Sequence, residues 1–350
     1  MISSLPFSYM FLSVMGFGTL LSVSSIHWLS IWAGLEINLI GFLPMLVYQK
    51  SLSESESAVK YFVIQALGSS LLIFGSLITF SSSYTWGVMS NEYLLWKLSF
   101  IVLVSGLCVK LGLFPFHYWL PSVMAGLSWF SCLLLATWQK FAPMFLMLCL
   151  LELSESYFLG VMICFISVGS ALIGGLGGVN QTQIRALLAY SSINHLGWMA
   201  YAILHSEWAM KVYLVVYVLI SISLFMNLWR SDFGMMKNIS NLKHSDPYRL
   251  SVLLMLLSLG GLPPLLGFVS KWLVILTGMS SPWLGAIFFL ILGSLMSLFY
   301  YLSLFFSALL AIMKANEMSQ LNSNVLVVSL NILNIVGGVL ILMVNLLYCF

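Results

Sequence analysis

Long apolar runs, each about the length of a membrane span, follow one another along the chain with only short polar turns between them. A spanning helix needs about 20 predominantly apolar residues. Some eleven segments meet that need, at roughly 5–25, 27–48, 59–81, 94–117, 126–150, 157–177, 184–204, 208–229, 250–278, 283–312 and 325–349. The most polar linker is "RSDFGMMKNISNLKHSDPYR", residues 230–249, too short for a soluble domain. The pattern therefore predicts an all-α polytopic membrane protein with about 11 transmembrane helices, forming a single transmembrane domain over residues 1–350.

Composition supports this reading and removes several alternatives. The chain is 61% hydrophobic and 7% charged, whereas soluble domains carry about 25% charged residues. It lacks the polar side chains to clothe a soluble core. The five cysteines, Cys108, Cys132, Cys149, Cys164 and Cys349, form no C-x-x-C pair and all lie in apolar runs. That argues against zinc, iron–sulfur clusters and a disulfide framework. No glycine-rich phosphate loop stands at a strand–helix junction, and no basic face with interleaved aromatics points to nucleic acid. No Lys or Arg precedes Lys50, so the N-terminus reads as neither a basic signal region nor an Arg-rich transit peptide. The chain is expected to insert by its own helices, from the side of the membrane on which it is made.

Loop charges set an expected orientation. Turns on the N-terminal side carry Lys50, Lys60, Arg185, Arg230, Lys237, Lys243, Arg249 and Lys314, and the opposite turns only Lys97 and Lys211. The positive-inside rule then puts the N-terminus in the matrix or cytoplasm and the C-terminus outside. Glu54, Glu56, Glu152 and Glu155 fall in short turns and are expected to be solvated.

Four charges remain inside spans: Glu36, Lys110, Lys140 and Lys271. A central charge costs about 2.5–3.5 kcal/mol on insertion scales, so the set burdens the fold by roughly 10 kcal/mol. One reading is structural, with Glu36 and one lysine forming a buried pair that fixes helix register. It leaves two lysines without an acidic partner near a helix centre. The other reading is proton transfer. Burial disfavours an ammonium ion and a nearby carboxylate favours it, so a lysine held between the two effects can release and regain a proton. His117 and His195 fall close to the same region and titrate near neutrality. Each reads equally well as a relay or as a hydrogen-bonded core residue. His27, His205 and His244 lie at segment ends or in the polar linker and read as structural or solvated.

Helix breakers accompany two of the lysines. The fourth segment reads "KLGLFPFHYWLP", with Gly112 and Pro115 after Lys110. The ninth reads "SLGGLPPLLGFVSKW", with Gly260, Gly261, Pro263 and Pro264 ahead of Lys271. Proline removes a backbone donor and clashes with the preceding turn. In lipid the freed groups need other partners, so irregular backbone occurs where protein or a water cavity covers it. Prolines also merely kink helices. Two breaks at a five-segment offset, each beside a lysine, predict an inverted five-helix repeat, roughly 94–229 and 250–349, of the kind that frames ion sites in transporters. The repeat is imperfect, since the fifth segment carries Lys140 and the tenth no charge.

The stretches "WAGLEINLIGFLP", "KLGLFPFHYWLP", "TWQKFAP", "GGLGGVNQTQIRALLAYSSINHLGWM" and "LSLGGLPPLLGFVSKW", spanning roughly residues 31–272, carry a resemblance. The chain resembles the subunit 2 family of antiporter-like membrane subunits of NADH:ubiquinone oxidoreductase, mitochondrial respiratory complex I, in its shorter, N-terminally truncated animal form. The resemblance implies a core membrane-arm subunit that translocates protons across the mitochondrial inner membrane, coupled to electron transfer from NADH to ubiquinone. It implies that Glu36 modulates Lys110 on the first broken helix, that Lys140 is the central lysine, and that Lys271 on the second broken helix stands next to the exit path. His117 matches a histidine close to the first lysine. It also implies no cofactor in this chain, with FMN, iron–sulfur clusters and ubiquinone elsewhere in the complex. The implied partners are a neighbouring antiporter-like subunit, small hydrophobic subunits and membrane lipids. On the residues alone, a free-standing cation/proton antiporter and a membrane scaffold without pumping stay open beside this reading.

Overall fold

The structure is a computed structural model and describes residues 7–47, 51–87, 94–153, 157–231, 246–279, 281–314, 332 and 334–339. Among these residues the regular structure is helical, apart from one isolated antiparallel bridge between His27 and Gly87. The helices are α1 (Ser8–Ser24), α2 (Trp28–Val47), α3 (Leu52–Ser83), α4 (Leu94–Leu111), α5 (Trp119–Gly126), α6 (Trp129–Ala136), α7 (Trp138–Leu153), α8 (Tyr157–Gly178), α9 (Ile184–Ile203), α10 (Glu207–Ser231), α11 (Asp246–Gly260), α12 (Leu266–Gly278) and α13 (Leu284–Lys314). The first ten predicted segments coincide with these helices. The fifth and ninth are each split, into α6 and α7 and into α11 and α12, while the helix of the fourth ends early, at Leu111, and α5 follows beyond that segment's predicted end. The eleventh segment, 325–349, lies largely outside the described residues. Six described stretches, among them Trp28–Val47, Tyr157–Gly178 and Glu207–Trp229, are long and apolar enough to cross a membrane on their own.

Two sequence expectations are corrected. The fifth segment is interrupted at Thr137, where the helix is distorted (φ −111, ψ −70) three residues before Lys140 and the Lys140 N–H bonds the Thr137 carbonyl at 3.2 Å. Nothing in the glycine and proline pattern marks that site. Glu54 is not in a solvated turn. It sits in the first turn of α3, 4% exposed, and its N–H donates to the Ser51 hydroxyl that caps the helix at 3.3 Å. The C-terminus of α5 packs against the same turn, with Gly126 close against the Ser53 carbonyl. A carboxylate in a first turn complements the positive end of the helix dipole. Glu56 and Glu152 are exposed, but on the helices α3 and α7 rather than in turns, and Glu155 lies outside the described residues.

Helices so apolar on all sides cannot pack by segregating polar from apolar faces. They pack through small residues instead, which let backbones approach closely. The chain forms two compact units, Met1–Ile163 and Cys164–Phe350. In the first, a Cβ on Gly18 would stand 2.5 Å from the Asn38 nitrogen and one on Gly34 2.6 Å from the Ser22 nitrogen, so α1 and α2 touch main chain to main chain. Gly68, Gly75 and Gly106 seat α3 on α4 in the same way. In the second unit, Gly174 meets the backbone of Asn194, and Gly197 fits against Ser167 and Ala171, which joins α8 to α9. Helix α9 is buried at every residue except Arg185 and Tyr190, the signature of a helix at the centre of a large core.

The polarity of the fold is inverted relative to a soluble protein. Large apolar side chains such as Phe17, Phe62, Phe165, Phe288 and Phe299 are exposed, while Ser22, Ser167, Ser170, Ser191, Ser192 and Ser258 are buried. Those hydroxyls are satisfied locally. Each bonds back to a carbonyl three residues earlier, at 2.7–2.8 Å in every one of the six. A serine can therefore sit in an apolar span without a tertiary partner.

Candidate functional site: two helix breaks and their lysines

Both breaks are built on one backbone plan. Helix α4 ends at Leu111, and Gly112 takes φ +76, while α11 ends at Gly260, and Gly261 takes φ +84. The Gly112 and Leu113 N–H groups both turn back to the Cys108 carbonyl, at 2.9 and 3.0 Å. The Gly261 and Leu262 N–H groups both turn back to the Leu257 carbonyl, at 3.1 and 3.4 Å. This is a glycine C-cap in which the bond from the following residue closes the turn. Glycine is required because an L-side chain is disfavoured at such φ. Three residues after each glycine stands a proline, Pro115 or Pro264, each in a cis peptide bond.

A cap of this kind leaves carbonyls of the last turn without helical partners. At the first break, side chains take them. The Trp119 indole donates to the Val109 carbonyl at 3.1 Å, and the Gln65 amide donates to the Lys110 carbonyl at 3.4 Å. His117 Nδ1 donates to the Pro115 carbonyl at 3.2 Å, since a carbonyl only accepts, and its ring lies 4.0 Å from that of Tyr118. Through these contacts His117 holds the break in shape. Trp119→Phe, which keeps an aromatic ring but removes the donor, leaves a buried carbonyl unpaired and should cost about 1–3 kcal/mol. A lowered thermal midpoint of the purified assembly checks this.

The first break places Lys110 in the last turn of α4, 7% exposed, with its ammonium 3.9 Å from Glu36 Oε1 on α2. That spacing is an ion pair without a direct hydrogen bond, and Glu36 Oε1 has no hydrogen-bond partner. Beside the lysine is a small polar cavity lined by Asn38, Tyr61, Gln65, Lys110 and Gln139, large enough for about one water molecule. Across it the Asn38 and Gln139 amides are doubly bonded: Asn38 Nδ2 donates to Gln139 Oε1 at 2.9 Å, and Gln139 Nε2 donates to Asn38 Oδ1 at 3.2 Å. This clasp ties the helix of Glu36 to the helix of Lys140. Lys140 itself is 4% exposed, in the first turn after the Thr137 interruption, with Pro143 one turn on.

The second break treats its lysine differently. Lys271 lies ten residues after Gly261, in α12, yet its ammonium reaches back to the end of α11. It donates to the Gly260 carbonyl at 2.9 Å and to the Leu259 carbonyl at 3.5 Å. These are the carbonyls freed by the break, at the negative end of a helix dipole. Lys271 is 6% exposed and makes no ion pair among the described residues. The Leu266 N–H that opens α12 is accepted by Asn334 Oδ1 at 3.3 Å. His195, at the middle of α9, is bonded through Nδ1 to the Tyr213 hydroxyl at 2.8 Å.

The breaks and lysines read from sequence thus coincide with real interruptions. Glu36 stands with Lys110, while Lys140 and His195 each occupy a separate buried position. The sequence reading passed over Asn38, Gln65, Trp119, Gln139 and Tyr213. The two amides beside Glu36 and Lys140 had a signal that could be used: a side-chain amide in an apolar span needs a partner as a charge does. Among the described residues no cluster of three or more His, Cys, Asp or Glu could hold a metal ion.

Known proteins share this architecture. Residues 25–299 match the family model for the transmembrane region of NADH:quinone oxidoreductase and Mrp antiporter subunits. NADH-ubiquinone oxidoreductase chain 2 of Locusta migratoria is 37% identical over 336 residues, covering 94% of this chain and 93% of its own length. The same-named chain of Anopheles gambiae is 43% identical over 301 residues, covering 85% and 84%. A chain of respiratory complex I from Thermus thermophilus, solved with bound aureothin, superposes with a TM-score of 0.83 at 26% identity, over 95% of this chain and 78% of that one. With its two glycine-capped helix breaks and their buried lysines, the chain belongs to the NADH:quinone oxidoreductase/Mrp antiporter membrane-subunit family.

Proposed function

We infer that the chain is a membrane-arm subunit of respiratory complex I that translocates protons across the membrane, while NADH is oxidised and ubiquinone reduced by other parts of the complex. The observation that carries this is the pair of helix breaks, each with a buried lysine, one holding its ammonium 3.9 Å from a carboxylate and the other bonding carbonyls released from the helix. Burying an ammonium is costly, and a lysine kept there next to irregular, polar backbone is suited to gaining and losing a proton.

Roles follow from position. Glu36 is a movable counter-charge: shifting it relative to Lys110 changes how strongly that ammonium is held. Lys110, Lys140 and Lys271 are the proton-carrying groups, with His195 a further carrier in the second unit. His117 shapes the first break and stands close enough to Lys110 in sequence to join it. The two breaks represent the halves of an inverted repeat. The chain is placed in the mitochondrial inner membrane, N-terminus in the matrix, beside other antiporter-like and small hydrophobic subunits, with flavin and iron–sulfur groups held elsewhere.

A scaffold role makes a different prediction. Replacing a buried ion pair by well-packed apolar residues is often neutral or stabilising. Glu36→Leu with Lys110→Met should therefore leave assembly of the complex intact on either reading. Proton pumping per NADH oxidised should fall if the pair works in transfer, and stay unchanged if it only fixes register. A free-standing antiporter would purify alone or as a small oligomer rather than with the many chains of complex I.

A further inference from the structure

We propose that Asn334 is a positioning residue for Lys271: it clamps α12 to α11 across the second break and so holds the lysine ammonium on the carbonyls that the break releases. The inference rests on the proposed function above and adds a residue to it.

The start of α12 has no cap of its own. The residue ahead of it is Leu265, whose side chain has no polar atom, where a helix ordinarily carries Ser, Thr, Asp or Asn. The Leu266 N–H is buried at the break, and a buried N–H needs an acceptor. Asn334 Oδ1, 68 residues further along the chain, accepts it at 3.3 Å. The other end of the same amide donates to Met255 Sδ on α11 at 3.4 Å. A main-chain nitrogen only donates and a thioether sulfur only accepts, so the two contacts fix which end of the amide is which. Asn334 is 2% exposed, and the helical stretch 334–339 that carries it lies directly on the break. A Cβ on Gly338, one turn beyond Asn334, would stand 2.1 Å from the Pro264 carbonyl oxygen.

The clamp stands in line with the lysine. Gly267, next to Leu266, packs so tightly on α11 that a Cβ there would stand 1.7 Å from the Ser258 carbonyl oxygen. Lys271 lies one turn beyond Gly267, on the same face of α12, and bonds the Gly260 and Leu259 carbonyls. The start of α12 thus meets the end of α11 at three successive levels: Leu266 to Met255 through Asn334, Gly267 to Ser258, and Lys271 to Gly260. The middle contact is close packing, which resists approach but not separation. The amide, bonded at both ends, resists separation. Without it α12 is free to move off α11, and the bond of the lysine to the Gly260 carbonyl lengthens with that movement.

The test is a double-mutant cycle in the intact complex. Asn334→Leu keeps the volume and removes both bonds. The complex should assemble on a native gel with a lowered thermal midpoint, and its proton yield per NADH oxidised should fall below wild type toward that of Lys271→Ala. In a Gly261→Ala background, where a Cβ 2.9 Å from Lys271 Nζ already displaces the lysine, Asn334→Leu should cause no further loss of yield. Met255→Leu removes only the sulfur and leaves the Leu266 N–H bonded. The Ser223 hydroxyl, 3.2 Å from that sulfur, keeps its bond to the Ile220 carbonyl at 2.7 Å. Met255→Leu should therefore give a smaller fall in yield, absent in an Asn334→Leu background. A lowered midpoint with wild-type yield in Asn334→Leu, while Lys271→Ala is impaired, would overturn the inference alone, since a purely structural residue moves only the midpoint. Additive losses of yield from Asn334→Leu and Gly261→Ala would overturn it too, by separating Asn334 from the lysine contact. Should Asn334→Leu not assemble, Met255→Leu carries the test, and a wild-type yield there overturns the inference. If Lys271→Ala itself pumps normally, the proton-carrying role of Lys271 falls, and the inference with it.

Discussion

Lys140→Ala should give a complex that assembles and pumps fewer protons for each NADH oxidised. Lys140 is 4% exposed in the first turn of α7, just after the Thr137 interruption and next to the Gln139 end of the amide clasp. Removing an ammonium from such a site relieves a desolvation penalty of about 2.5–3.5 kcal/mol on insertion scales. It also empties the space of the lysine stem, which acts in the opposite sense. The two terms are similar in size, so assembly should survive. Transfer should not, because a positioned acid–base group contributes about 10²–10⁴-fold to a proton-transfer step and alanine has nothing to protonate. Lys140→Arg, which keeps the charge but does not release its proton, should fail in the same way, which separates proton exchange from fixed charge. Pumping measured against NADH oxidation in reconstituted vesicles decides the matter: an unchanged proton-to-electron ratio in Lys140→Ala would remove Lys140 from the path.

Gly261→Ala should damage pumping well beyond its cost in stability, and Gly112→Ala should not. The two glycines share a backbone conformation, φ +84 and +76, so an alanine carries a similar strain at each, about 1–2 kcal/mol. Their surroundings differ. A Cβ on Gly261 would stand 2.9 Å from Lys271 Nζ, 3.0 Å from its Cδ and 3.2 Å from its Cε. The flexible end of the lysine must give way, and it loses its bond to the Gly260 carbonyl. A Cβ on Gly112 would press instead on Leu120 Cδ1 at 2.8 Å, with the Leu120 Cβ and Trp119 each at 3.4 Å, without touching the Lys110 ammonium. Both variants should lower the thermal midpoint of the complex by a comparable amount. Only Gly261→Ala should also lower the proton yield, and equal yields in the two would show that the Lys271–Gly260 contact has no part in transfer.

Much of this molecule was legible in its sequence. Ten of the eleven predicted segments lie on helices, and both predicted breaks occur, because a run of about 20 apolar residues and a proline without an N–H act within their own stretch of chain. The buried position of Lys110, Lys140 and Lys271, and the place of the half-buried Glu36 within a span, follow from the same local fact. The Thr137 interruption was not legible, since threonine is no breaker and its own hydroxyl satisfies the Leu133 carbonyl at 2.7 Å. Glu54 was misplaced for a related reason. Its position beside serines reads as a polar turn, whereas it is buried in the first turn of α3, where the end of α5 packs against the neighbouring Ser53.

What the sequence determined by itself is that this chain spans a membrane, where glycine and proline break two of its helices, and which charged groups lie within the spans. Helical hydrogen bonds join residues four apart, so their loss can be read from nearby glycines and prolines. What takes up the released groups is decided by tertiary structure alone. Gln65 meets the Lys110 carbonyl from 45 residues away, Asn38 clasps Gln139 across 101, and Lys271 returns over 11 to the Gly260 carbonyl. The two breaks have nearly the same backbone, yet one lysine faces a carboxylate and the other a helix end. That difference depends on which helices lie alongside each break, and packing between distant segments, driven by small residues that admit close approach, is what sets it.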